Sequence, residues 1–104
     1  MSDHPLDLAI TAIEQALDSR PKVDGRAFTA ATQAVCAYRD SLRLARRCGL
    51  AQAEDLKQLE DANLAVALLV SGHFGLGQTP WRAIAELPKL LARMRGEVAG
   101  ASAS

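Results

Sequence analysis

Proline and glycine divide this chain into four stretches, and that punctuation constrains its fold more than any other feature. Pro21 closes the first stretch and Gly49 the second, and the run Gly72-His73-Phe74-Gly75-Leu76-Gly77-Gln78-Thr79-Pro80 separates the third from the fourth. Proline lacks a backbone donor and fits a helix only in its first turn, while glycine ends helices by taking the left-handed conformation. Inside each stretch apolar residues recur every three or four positions, the period of an α-helix with one buried face.

The first helix is expected to start after Ser2 or Asp3 as N-cap, with Pro5 in its first turn, and to bury Leu6, Ile10, Ile13 and Leu17. Asp24 caps a second helix that runs to about Cys48 with the seam Phe28, Ala31, Val35, Tyr38, Leu42 and Ala45. A third begins near Ala51, and its seam reads Leu56, Leu59, Asn63, Val66 and Val70. Leu64 to Val70 is apolar all round, which predicts the most buried piece of the molecule. Ser71 to Gln78 reads as a loop. Thr79 then caps a fourth helix with Pro80 at its first position and the stripe Trp81, Ile84, Leu87, Leu91, Met94 and Val98. Pro88 removes a donor and crowds the carbonyl of Ile84, so a kink or break is expected near Glu86.

Composition supports this reading. Alanine and leucine supply 20 and 15 of the 104 residues, against 16 for Val, Ile, Thr, Phe, Tyr and Trp together, so helix formers dominate. The expected fold is all-α, a four-helix bundle-like domain over residues 1–95 with a long central hairpin of helices two and three and a flexible tail over 96–104. Cys36 and Cys48 lie roughly 18 Å apart along one helix at 1.5 Å per residue, too far to pair; buried, inert thiols are the expectation.

Twelve basic residues balance twelve acidic ones, yet the sign alternates along the chain. Residues 1–19 carry a net −4, 20–48 a net +5, 49–78 a net −3 and 79–104 a net +2. In an up-down bundle this places opposite charges side by side and like charges on the diagonal. Overall neutrality argues against nucleic acid and anionic membranes as partners. The longest apolar run is too short for a bilayer, and the N-terminus lacks the pattern of a signal peptide, so a soluble cytoplasmic protein is expected. Nine arginines against three lysines, with Asn63 the only asparagine, suggest a GC-rich, bacterial source.

Two residue groups stand out. Arg39, Arg43, Arg46 and Arg47 form a basic strip beside Tyr38 near the end of helix two, and with the seam amide Asn63 they form a candidate interaction surface. In the plainer reading these arginines offset the helix dipole and face Glu60 and Glu54 across the hairpin. The second group is His73, Gln78, Thr79, Trp81 and Arg82, where a glycine-rich loop opens a helix N-terminus, an arrangement that suits an anion or small molecule. Its spacing matches neither phosphate-binding fingerprint, and both of those follow a strand. No two of His4, His73, Cys36 and Cys48 have metal-ligand spacing, and no set of nucleophile, base and orienting group is visible. Neither metal, cofactor nor enzymatic activity is therefore expected. Helix two spans ~35 Å and helix one ~21 Å at 1.5 Å per residue, so part of the hairpin is left for a partner, most simply a second copy in a homodimer. The expected function is a helical protein–protein interaction or regulatory module of the adaptor, chaperone or anti-activator kind. The alternative is a small-molecule or anion-binding helical protein, with or without enzymatic activity, whose site is the Gly72–Trp81 loop.

Overall fold

The computed structural model describes residues 4–49, 53–74 and 79–103, with 53–55 and 97–103 described as backbone alone. It contains α1 (Pro5–Asp18), α2 (Gly25–Arg47), α3 (Ala53–Phe74) and α4 (Trp81–Ala103), and no strand among the described residues. Each helix packs on two neighbours: α1 on α2 and α4, α3 on α2 and α4. Contacts fix the directions. The start of α1 meets the later part of α2 through His4 and Tyr38, and the end of α4 through Asp7 and Arg95. Gln58 early in α3 reaches Tyr38 late in α2, and its Nε2 donates to the Met94 carbonyl late in α4. All four neighbouring pairs therefore run antiparallel, giving an up-down-up-down bundle.

The ends of the helices follow local chemistry. Asp24 accepts from the N–H groups of Arg26 and Ala27 at 3.1 and 3.2 Å, capping α2. Gly49, at φ +75°, closes α2 with its N–H on the Arg46 carbonyl, a conformation that disfavours any Cβ. The α1 cap is neither Ser2 nor Asp3. It is His4, whose Nδ1 accepts from the Leu6 N–H at 3.1 Å, ahead of Pro5 in the first turn. At α4, Pro80 rather than Thr79 supplies the first helical carbonyl, accepting from the Ile84 N–H at 3.0 Å. Helix α4 runs unbroken through Pro88 and past Gly96 to Ala103, so neither residue ends it.

The core is assembled from Leu6, Ile13, Phe28, Val35, Leu69, Ile84, Leu91 and Met94, with alanines between them. Helix α3 departs most from expectation. Its buried residues are Gln58, Ala62, Ala65, Leu69 and Gly72, whereas Leu56, Asn63, Leu64 and Val70 are exposed and Leu59 and Val66 are half-buried. Small side chains, not the largest ones, face inward because they let neighbouring helices approach closely. Gly72 shows this most clearly. It is helical rather than part of a loop, and a methyl group there would lie 2.8 Å from both Phe28 Cε1 and Ile84 Cδ1.

Candidate functional site

Three of the five α3 seam residues, Leu56, Asn63 and Val70, are exposed, and Leu59 and Val66 are half-buried. Angular positions at about 100° per residue place Leu56, Asn63, Val70 and Phe74 within a narrow outward arc of α3, opposite Ala65 and Leu69. Leu56 is 44% exposed, Val70 42% and Phe74 70%, so this second apolar stripe is wet along its length. Leu59 flanks it on the α2 side and shares an open groove with Asp40, Arg43, Arg46 and Arg47. The groove exists because nothing in α2 is buried beyond Tyr38. Among the described residues, the N-terminal end of α1 meets α2 at the His4–Tyr38 contact.

Within this face the arginines differ. Arg39 is mostly covered, its Nε buried without a hydrogen-bond partner and 3.7 Å from Asp40 Oδ1 of its own helix. It pairs with Asp40 instead of Glu60 across the hairpin. Arg43, Arg46 and Arg47 are exposed, and no described ion pair engages them. The expected Arg43–Glu54 contact involves a side chain outside the described residues. Asn63 is on the surface, so it is not an amide buried among Leu and Val inside the bundle.

Tyr38 does not belong to the surface. It is 5% exposed and its hydroxyl donates to Gln58 Oε1, while Gln58 Nε2 donates to the Met94 carbonyl at 3.3 Å. Its ring lies 5.7 Å from that of His4, and Asp7 beside it pairs with Arg95 at 3.3 Å. This polar cluster ties all four helices together at one end of the bundle. Burial holds the His4 imidazole below its ordinary pKa, the Arg95 charge acts in the same direction and the Asp7 carboxylate opposes them. Gln58 escaped the sequence reading because the larger Leu56 and Leu59 set the assumed phase. The spacing of Ala62, Ala65, Leu69 and Gly72 was the signal that places Gln58 inside.

The loop group is only partly assembled. His73 sits at the end of α3 and turns toward α2, its ring stacked on Phe74 at 4.2 Å and 6.1 Å from Phe28, with Nε2 close over Gly25. Trp81 packs on Phe28 from α4 at 5.9 Å. Thr79 is half-buried and its carbonyl accepts from the Trp81 N–H at 2.8 Å, Arg82 is exposed, and Gln78 lies outside the described residues. His73 and Trp81 thus both pack against Phe28.

A second groove, between α1 and α2, is lined by Leu8, Thr11, Ala12, Gln15, Ala30 and Gln33, among others, and holds no cluster of charge. Cys36 is half-buried and Cys48 exposed, both free, so neither is the fully buried thiol expected. No group of three metal-ligating side chains occurs among the described residues, and no helix is long and apolar enough to cross a membrane there. Compared with protein-family models, with curated proteins and with solved structures, the chain matches none.

Proposed function

We propose that the protein is a helical interaction module, of the adaptor, chaperone or regulatory kind, whose working surface is the outer face of the α2–α3 hairpin. One observation carries this reading: α3 has two apolar faces, and only one is used by the fold. Ala62, Ala65 and Leu69 complete the core, whereas Leu56, Val70 and Phe74 line up on the opposite side in water. Large apolar side chains scattered singly need no explanation, but a row at helical spacing beside a groove marks a place where another helix can lie. Enzymatic chemistry has less support, since the polar cluster around Tyr38 and Gln58 is internal and serves to hold the helices in register.

Site-specific photocrosslinking in cells tests the proposal. A benzophenone side chain at Asn63 is expected to form discrete protein adducts, and one at Glu14 on the far side of the bundle is not. Equal labelling at both positions, or none at either, would count against the α2–α3 face. A homodimer through this face would appear as an adduct of twice the chain mass.

A further inference from the structure

We propose that His4 is a proton-operated latch on the first turn of α1: neutral, it caps the helix against Tyr38, and a proton on Nδ1 removes the cap and frays residues 4–8 while the bundle stays folded. This device is independent of the outer face of α3. Its basis is the atom that does the capping. Serine or asparagine caps a helix with an oxygen that stays an acceptor at any ordinary pH. Here the acceptor is the imidazole Nδ1, which takes the Leu6 N–H at 3.1 Å, so the neutral ring carries its proton on Nε2. A second proton turns Nδ1 into a donor facing a donor. The cap cannot survive it in this geometry.

Groups on the neighbouring helices add to that conflict. The N-terminal end of α1 is the positive end of its dipole, which disfavours a cation at the cap. From α4, the Arg95 guanidinium adds positive charge; Asp7 of α1 opposes it, but this carboxylate is itself paired with Arg95 Nε at 3.3 Å. From α2, the Tyr38 ring lies 5.7 Å from the imidazole, and its hydroxyl donates to Gln58 of α3, a neutral pair that offers an imidazolium no counter-charge. Burial acts in the same direction as Arg95. The side chains of Asp3 and Glu97 lie outside the described residues. Beyond the cap, this turn is closed by the Leu8 N–H on the His4 carbonyl at 3.1 Å and held by one large buried side chain, Leu6. Ala9, Ala12, Ile13 and Ala16 keep the later turns in the core, so fraying stops there.

Nuclear magnetic resonance of the full chain, followed from about pH 7.5 to about pH 5, tests the latch. At the upper end the ring nitrogens of His4 should report the Nε2–H tautomer with Nδ1 bare. As His4 titrates, the protection of the Leu6 and Leu8 amides against hydrogen exchange, corrected for intrinsic rates, should fall by roughly fivefold or more, the size expected for a lost cap. The Leu69 and Leu91 resonances should keep their folded positions throughout. His4→Asn, which caps without titrating, should lose the step, and His4→Ala should show low protection at both ends of the range. An Nδ1–H tautomer at neutral pH would overturn the proposal. So would protection at Leu6 and Leu8 that holds or rises as His4 titrates, the result expected if a carboxylate such as Asp3 or Glu97 receives the charged ring. A step that survives in His4→Asn, or amides of the first turn that open only when Leu69 does, would overturn it equally.

Discussion

Four residues, Gly72, Tyr38, Gln58 and His4, carry consequences out of proportion to their size. At Gly72 a methyl group would overlap Phe28 and Ile84, both fully buried, so the helices cannot simply move apart. Gly72→Ala should gain about 1 kcal/mol in helix propensity and lose about 1–3 kcal/mol to overpacking. A net loss of up to about 2 kcal/mol in chemical denaturation is expected. Tyr38 and Gln58 form a buried polar pair, and Tyr38→Phe leaves the Gln58 oxygen without its donor. The expected loss is about 1–3 kcal/mol, and Tyr38→Phe with Gln58→Met should recover part of it, because removing both polar partners costs less than stranding one. His4 ties stability to pH. Its folded pKa lies below the ordinary value of 6.5, so in the window beneath 6.5 the unfolded chain binds a proton that the folded one resists. Stability should be full above that window and fall as the pH drops through it. His4→Asn, which keeps a capping acceptor and removes the titration, should flatten this part of a melting-temperature profile against pH.

At the scale of the element, helix boundaries and helix orientation were each legible only in part: His4 rather than Ser2 or Asp3 caps α1, and Gly72 and Gly96 lie inside helices. Asp24, Pro5 and Gly49 act on their own neighbourhood, so their effects could be read without knowing what packs where. The seams of α2 and α4 were equally plain, because each has one apolar face, and Phe28, Val35, Ile84, Leu87, Leu91 and Met94 are buried as their spacing requires. Helix α3 defeats the same argument. With apolar residues on both sides its pattern has no single phase, and counting large side chains selects the outer row while alanines and Gly72 make the core. Of the candidate surface residues, Arg43, Arg46, Arg47 and Asn63 are exposed, as a surface requires, while Arg39 is mostly covered. Tyr38 was placed inward by the α2 seam spacing and also grouped with the surface arginines; the seam placement holds, and Gln58 on the next helix meets its hydroxyl. Asn63 gives the clearest check at this scale. As an exposed residue its replacement in Asn63→Leu should change unfolding free energy by no more than about 0.5 kcal/mol. A large gain would mean that the amide sits at a buried seam.

For the molecule as a whole, the alternation of charge along the chain becomes an arrangement in space. The net-negative first and third segments form one diagonal of the bundle and the net-positive second and fourth the other, since α1 and α3 each touch only α2 and α4. Arg95–Asp7 and Arg93–Asp61 are two of the resulting neighbour pairs. Exposed ion pairs of this kind contribute about 0–1 kcal/mol each, so they favour this helix order over its alternatives more than they stabilise it. At the far end of α2, Arg43, Arg46 and Arg47 line an open groove shared with Leu59 of α3. Helix α3 thus faces the core with one side, and the proposed function assigns its other side to a partner. Thermal unfolding of Leu56→Gln/Val70→Gln/Phe74→Gln beside the single variant Leu69→Gln tests that division most directly. The triple change is expected to cost about 1 kcal/mol in total, and the single change at fully buried Leu69 about 3–5 kcal/mol. A triple variant as unstable as Leu69→Gln would show that the outer row belongs to the fold, and would contradict the account.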